Sequence, residues 1–316
     1  MLEQDKIKNV NFRNYIVYIA LIVIFLVFSV ALFNKGFITQ NNIMNIFRQT
    51  AMISVMSVGM TIVLCAGEID LSIGSIVALS AVLTAYALRY FNIWIAILTG
   101  LLTGIIIGFI NGLLVSKIRI PSFLVTLGMM SILSGVARWA TNLVAIPVTN
   151  RVYNFIFGSG NIRTISVLFI WTIIFVAIGQ ILLKKTSYGR YILATGGNEV
   201  AAKFSGINTK NIKMSVLIIS GITAAFAGML YAGRLHGARY DLGEADLLTV
   251  IAAVIIGGTS LSGGKGTVIG ALAGSLIMGM VNNGLILMGL DNAQQMIFRG
   301  IIIIGAVSFG IEREKY

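Results

Sequence analysis

The chain is predicted to be an all-α integral membrane protein of about ten transmembrane helices with both termini cytoplasmic, and three observations lead there. Hydrophobic residues make up 57% of its 316 residues and charged residues 11%, against roughly 25% charged in a soluble domain, so lipid is the solvent for most of the chain. Ten apolar runs reach or approach the ~20 residues that a helix needs to cross ~30 Å of hydrocarbon. They are 15–34, 46–65, 71–89, 93–115, 122–141, 164–183, 213–234, 247–262, 266–289 and 294–311. With the amino terminus inside, the inner segments hold Lys6, Lys8, Arg13, Lys117, Arg119, Lys184, Lys185, Arg190, Lys203, Lys210, Lys213, Lys265, Arg313 and Lys315. The outer ends and loops hold half as many: Lys35, Arg48, Arg89, Arg151, Arg163, Arg234 and Arg239. That asymmetry is the positive-inside bias, and an even number of spans returns the carboxyl terminus to the same side.

The first run follows a basic segment, but it is too long for the apolar region of a cleaved signal and no small-x-small site follows, so it is read as a retained helix. Between the second and third runs lies AGEIDLSIGS (66–75), which places Glu68 and Asp70 among long apolar stretches. Gly67 lets the chain turn, Asp70 is placed to cap a helix starting at Leu71, and Ser72 can add a bond in its first turn. Glu68 has no assignment beyond a position at the inner boundary of the membrane.

In the fourth run, Gly100, Gly104, Gly108 and Gly112 recur every four residues on one helix face, where a neighbour's backbone can approach closely. Gly266, Gly270 and Gly274 repeat the device in the ninth. Arg138 and Arg299 fall near helix ends, where their heads are expected to snorkel to the interface.

The largest polar interruption is the segment from Lys184 to Lys213, on the inner side. Within it, Gly196 and Gly197 are expected to turn the chain and Asn198 to cap a short helix. Glu199 then sits in the first turn, where its charge suits the helix dipole, and Gly206 ends the element. A short helix with Ala201 and Ala202 on one side suits docking into another protein's groove better than a bare connection does. A second inner element, GGTSLSGGKGT (257–267), is not a phosphate loop: Thr259 stands where the pattern needs glycine and Gly266 where it needs Ser or Thr. It is read as a glycine-rich connection after the short eighth run.

Cys65 and His236 are the only cysteine and histidine. That excludes a disulfide framework and a histidine metal centre. Paired carboxylates without a nearby nucleophile or ligand set do not make an active site, so no catalytic residue, metal or cofactor is expected in this chain. The net charge of +12 reports orientation, not nucleic-acid binding.

Four stretches, in order, carry a family resemblance: AGEIDLSIGS, NGLLVSKIRIPSFLVTLGMM, TSYGRYILATGGNEVAAKFSGINTKNIK and GGTSLSGGKGTVIGALAGSLIMGMVNNGL. Together, from about residue 40 to 305, the chain resembles the membrane-spanning permease of ribose-type bacterial ABC importers. Glu68 departs from the GGIDLS more common in ribose-specific members. The resemblance implies a multi-pass protein of the bacterial inner membrane that forms the path for ribose or another monosaccharide. The implied partners are a second permease subunit (a homodimer), a cytoplasmic ABC ATPase carrying ATP and Mg, an extracytoplasmic sugar-binding protein and the lipid bilayer. It also implies that Gly196, Gly197, Asn198, Glu199, Ala201, Ala202 and Gly206 form the helix that contacts the ATPase.

For the path or its inner gate the candidates are Asp70, Ser72, Asn111, Thr126, Ser131, Asn282 and Asn283. Arg234, Arg239, Asp241 and Glu244, in RLHGARYDLGEAD (234–246), are candidates for docking the binding protein. The alternative substrates are a furanosyl signalling compound or another polyol. The alternative mechanism is an ion-coupled secondary transporter, which needs an intramembrane coupling site for which only Glu68 and Asp70 are available.

Overall fold

The structure, a computed structural model, describes residues 16–310. The basic residues Lys6, Lys8, Arg13, Arg313 and Lys315, which bear on the termini, lie outside that range. Among the described residues thirteen α-helices run in the order α1 (Ile16–Ala31), α2 (Gln40–Cys65), α3 (Ile73–Tyr90), α4 (Ile93–Leu113), α5 (Ser122–Thr141), α6 (Arg151–Asn154), α7 (Val167–Lys185), α8 (Ser187–Gly197), α9 (Glu199–Phe204), α10 (Thr209–Leu235), α11 (Leu247–Ile256), α12 (Val268–Met288) and α13 (Asn292–Gly310). Two two-residue antiparallel ladders, Ile146–Pro147 with Gly237–Ala238 and Asn161–Ile162 with Ile165–Ser166, tie the loops between helices. Seven helices among the described residues are long and apolar enough to cross a membrane: α2, α3, α4 with its continuation to Ile118, α5, α7, α10 and α12. Each of the ten expected apolar runs carries a helix.

Burial separates centre from periphery. In the most apolar 18-residue windows, 78% of α2 and of α10 is buried, against 22% of α5 and 33% of α4 and α7. The two longest helices therefore form the spine, and α4, α5 and α7 turn apolar side chains such as Ile106, Phe109, Ile132 and Ile178 outward, as lipid solvation requires.

The spine is close-packed through small residues. The α4 glycine face lies on α10, with Gly104 against the Gly221 carbonyl, Gly108 against Leu217 and Gly112 against Met214. Gly270 and Gly274 of α12 lie on Gly257 and on Ala253 of α11 in the same way. Across α2 and α12, Ser54 Oγ and Ser275 Oγ share a 2.7 Å hydrogen bond.

Several boundaries differ from the sequence reading, each for a local reason. α2 starts six residues early because Thr39 caps it, accepting from Asn42 N at 3.4 Å, and the polar first turns carry no hydropathy signal. α3 starts at Ile73, not Leu71. α12 starts at Val268, so Gly266 lies in the preceding loop against Cys65 and Thr259. Gly196 and Gly197 are not a flexible turn. They are the last residues of α8, a helix the sequence reading missed, which Thr186 caps at Gly189 N (3.0 Å) and which buries Ile192. Gly196 is needed there for close approach: a Cβ would run into the Cys65 carbonyl.

Candidate functional site

Two polar constellations stand out, one at each end of the spine. At the expected inner end, the residues 66–72 turn between α2 and α3. Asp70 is fully buried. Its Oδ1 accepts from Ser72 N (2.9 Å) and Ser72 Oγ (2.6 Å), and its Oδ2 accepts from Ser220 Oγ of α10 (2.7 Å). Asn111 Nδ2 of α4 donates to Ser72 Oγ at 3.0 Å. Thr126 Oγ1 of α5 accepts from Leu71 N at 3.0 Å, and Ser122 Oγ accepts from Ile69 N at 3.1 Å. Thus Asp70, Ser72 and Asn111 are joined by hydrogen bonds and Thr126 holds the adjoining Leu71 amide, which clamps the loop to α4, α5 and α10. In place of the expected cap, Asp70 bonds Ser72 N ahead of the first helical turn.

Beside this network runs a chain of charges. Glu68 Oε1 lies 2.7 Å from Lys213 Nζ on α10, and the same ammonium is 2.8 Å from Glu199 Oε2. Glu199 Oε1 is in turn 2.6 Å from Lys203 Nζ and accepts from Thr209 Oγ1 at 3.2 Å. Partial desolvation works to raise the Glu199 carboxyl, but the hydrogen bonds and charges of Lys203 and Lys213 hold it at about 2. Glu68, unexplained in the sequence, is therefore the bundle end of an ionic link to α9.

α9 itself is capped as expected, with Asn198 Oδ1 accepting from Ala201 N at 2.9 Å, and Gly206 follows it at φ +82°. Ala202 is buried while Ala201 is exposed. Val200 and Phe204 project outward, 62% and 90% exposed. The connection 257–267 packs against the same corner, its Gly264 N donating to the Cys65 carbonyl at 3.0 Å and Gly263 lying on Gly196. Sequence reasoning missed Lys213, Val200 and Phe204; for the last two, a large apolar pair four residues apart on a short helix that otherwise holds only alanines and charges was the available signal.

At the opposite end, α2, α10, α11, α12 and α13 surround a partly enclosed cavity of about 280 Å³. Gln49, Thr50, Tyr231, Arg234, Asp246, Asn282, Gln295 and Arg299 contribute its polar lining. Tyr231 Oη donates to Asp246 Oδ2, and Arg299 Nη2 donates to Asn282 Oδ1 at 2.6 Å. Arg299, expected near a helix end, turns into the cavity and bonds Asn282. Arg234 likewise lines the cavity instead of the outer loop surface.

The remaining expected residues lie apart. Asn283 and Asn42 exchange amide hydrogen bonds, both 3.0 Å. Ser131 is exposed and donates to Leu127 O at 3.3 Å. Arg239 pairs with Asp241, and Arg138 with Glu244 at 3.0 Å, at the protein surface. Among the described residues, no group of three His, Cys, Asp or Glu side chains is placed to hold a metal.

Comparison with known proteins follows the same outline. The family model described as "Branched-chain amino acid transport system / permease component" matches residues 42–307. The chain is 42% identical over 292 residues to the ribose import permease protein RbsC of Bacillus subtilis (strain 168), covering 92% of this chain and 90% of the relative. It is 40% identical over 294 residues to RbsC of Escherichia coli (strain K12), covering 92% and 91%. It is 35% identical over 294 residues to the L-arabinose ABC transporter permease protein AraH of Azospirillum brasilense, covering 92% and 86%. No solved structure matches the chain. A match across most of the chain, on a multi-helix apolar bundle, shows that the chain belongs to this family of transport-system permease components.

Proposed function

We propose that the chain is the membrane-spanning permease subunit of an ABC importer in the bacterial inner membrane, forming the path for ribose or another monosaccharide. The observation that carries this reading is the 40–42% identity to ribose import permeases over 92% of the chain. In this reading residues 1–316 are a single transmembrane domain that crosses the bilayer ten times with both termini cytoplasmic, and 184–213 is its coupling loop. Catalysis, ATP and Mg belong to a partner ATPase. An extracytoplasmic binding protein delivers the sugar, and a second copy of the permease completes the path.

The physics of the parts supports a division of labour. α9 presents Val200 and Phe204 to a partner, with Gly196, Gly197, Asn198, Glu199, Ala201, Ala202 and Gly206 shaping and placing it. Movement of α9 reaches the spine through Glu199 and Lys213, and Lys213 is held by Glu68. The Asp70, Ser72, Asn111 and Thr126 network closes the inner end, in the manner of a gate. Asn282 and Asn283 lie toward the outer part of the path. Arg239, Asp241 and Glu244 offer exposed charge for the binding protein, whose electrostatic match governs encounter, while Arg234 lines the neighbouring cavity.

The arabinose relative favours a pentose-sized polyol if ribose itself is not carried. A furanosyl signalling compound belongs to the same size class. The test is uptake of labelled ribose and arabinose by proteoliposomes holding the permease, its ATPase and its binding protein. Uptake that needs ATP and survives collapse of ion gradients is the expected result. Uptake that follows an ion gradient without ATP would establish the secondary-transporter alternative instead.

A further inference from the structure

We propose that the cavity at the outer end of the spine is a monosaccharide-binding site in the permease itself, taking one neutral polyol during transit. This inference rests on the reading of the chain as a sugar import permease, and it adds a recognition step that a binding protein does not supply.

The size of the cavity sets the first limit. At about 280 Å³ it falls at the small end of ligand pockets, which run from roughly 300 to 1,000 Å³ for drug-sized molecules. One sugar ring suits that space and a longer oligosaccharide does not. Five helices meet there, so a ligand in it touches the spine, α11, α12 and α13 at once.

The chemistry of the lining sets the second. Gln49 Oε1 is buried and has no hydrogen-bond partner, and a buried acceptor left unmet is costly. Asp246 adds a second acceptor, with one oxygen taken by Tyr231. Arg234 and Arg299 bring donors, of which Arg299 gives one to Asn282. A ligand that answers this set must donate to Gln49 and Asp246 while accepting from the arginines. A hydroxyl group does both through one atom, and adjacent hydroxyls on a ring repeat the pattern. An anion would satisfy the arginines but would meet Asp246 with like charge and leave the Gln49 carbonyl unanswered. An apolar ligand would leave Gln49, Asp246 and the two arginines unanswered.

The experiment uses the permease–ATPase complex in nanodiscs without binding protein. Saturation-transfer NMR with D-ribose, L-arabinose and D-glucose reads direct binding, and uptake by the complete system in proteoliposomes reads transport. At least one imported sugar should bind the complex. Gln49→Leu, which removes one acceptor, should weaken that binding about fivefold, the size of one neutral hydrogen bond, and Asp246→Asn should weaken it tenfold or more. Both variants should also raise the concentration for half-maximal uptake. If Asp246→Asn does not assemble, Gln49→Leu carries the test alone. Import of a sugar that does not bind the complex, with wild-type uptake by Gln49→Leu, overturns the site and leaves the importer reading intact. Failure to import any sugar of the panel removes that reading, and the site with it.

Discussion

Replacing Lys213 with Met tests how the coupling loop is attached to the bundle. In the native arrangement one ammonium, 21% exposed, serves Glu68 at 2.7 Å and Glu199 at 2.8 Å. The two carboxylates do not lose equally. Glu68 is 7% exposed, and breaking a buried pair by removing one partner costs about 3–5 kcal/mol because the other charge is left without compensation. Glu199 is 33% exposed and keeps Lys203 at 2.6 Å, so its share is at most about 1 kcal/mol.

The single substitution should therefore lower the melting temperature of the purified permease by on the order of 10 °C, at roughly 2–4 °C per kcal/mol. Glu68→Leu combined with Lys213→Met removes both members of the buried pair, and such replacements are often neutral or stabilising. The double variant should melt near wild type. Sugar imported per ATP hydrolysed supplies the second readout. If the link only stabilises, the double variant regains coupling along with its stability. If it transmits motion from α9, the double variant stays folded but uncoupled. Wild-type melting by Lys213→Met, or a double variant that melts as low as the single, would refute the reasoning.

Three further outcomes are expected. Gly196→Val should abolish folded permease in size-exclusion chromatography, since its side chain meets the Cys65 carbonyl, whereas Gly206→Ala meets nothing within 4 Å and carries only the left-handed φ of +82°, about 1–2 kcal/mol. Asp70→Asn keeps an acceptor for Ser72 and should cost about 1 kcal/mol, while Asp70→Ala strands Ser72 and Ser220 at about 1–3 kcal/mol each; a folded Asp70→Asn that does not import sugar would show that the charge acts in transport. Asp241→Lys with Glu244→Lys changes exposed pairs worth at most about 1 kcal/mol, so the protein should melt normally while half-maximal uptake needs several times more binding protein, most clearly at low salt.

Much of the architecture could be read before any coordinates. The ten apolar runs each carry a helix, and among the described residues seven of these are long and apolar enough to cross a membrane, where a backbone must satisfy its polar groups internally. The glycine spacing of α4 correctly announced a close helix contact, and Asn198 and Gly206 announced the bounds of α9. Boundaries failed where polar residues continue a helix, as in the first turns of α2 and throughout α8, since hydropathy reports the solvent and not the backbone.

The site was less legible. Asp70, Ser72, Asn111 and Thr126 were singled out one by one, but their hydrogen bonds span three helices. Arg299 was expected to snorkel to the interface because it lies near a helix end, and nothing local announced its partner, Asn282, 17 residues away. Glu68 had no reading at all, because its partner Lys213 follows 145 positions later in the chain.

By itself the sequence determined the solvent, the apolar helices and the family, since these depend on composition, local periodicity and motifs along the chain. Only the tertiary structure decided which carboxylate meets which ammonium and which polar groups share a cavity. Buried charge is stable only beside its partner, and that partner is fixed by how distant helices pack.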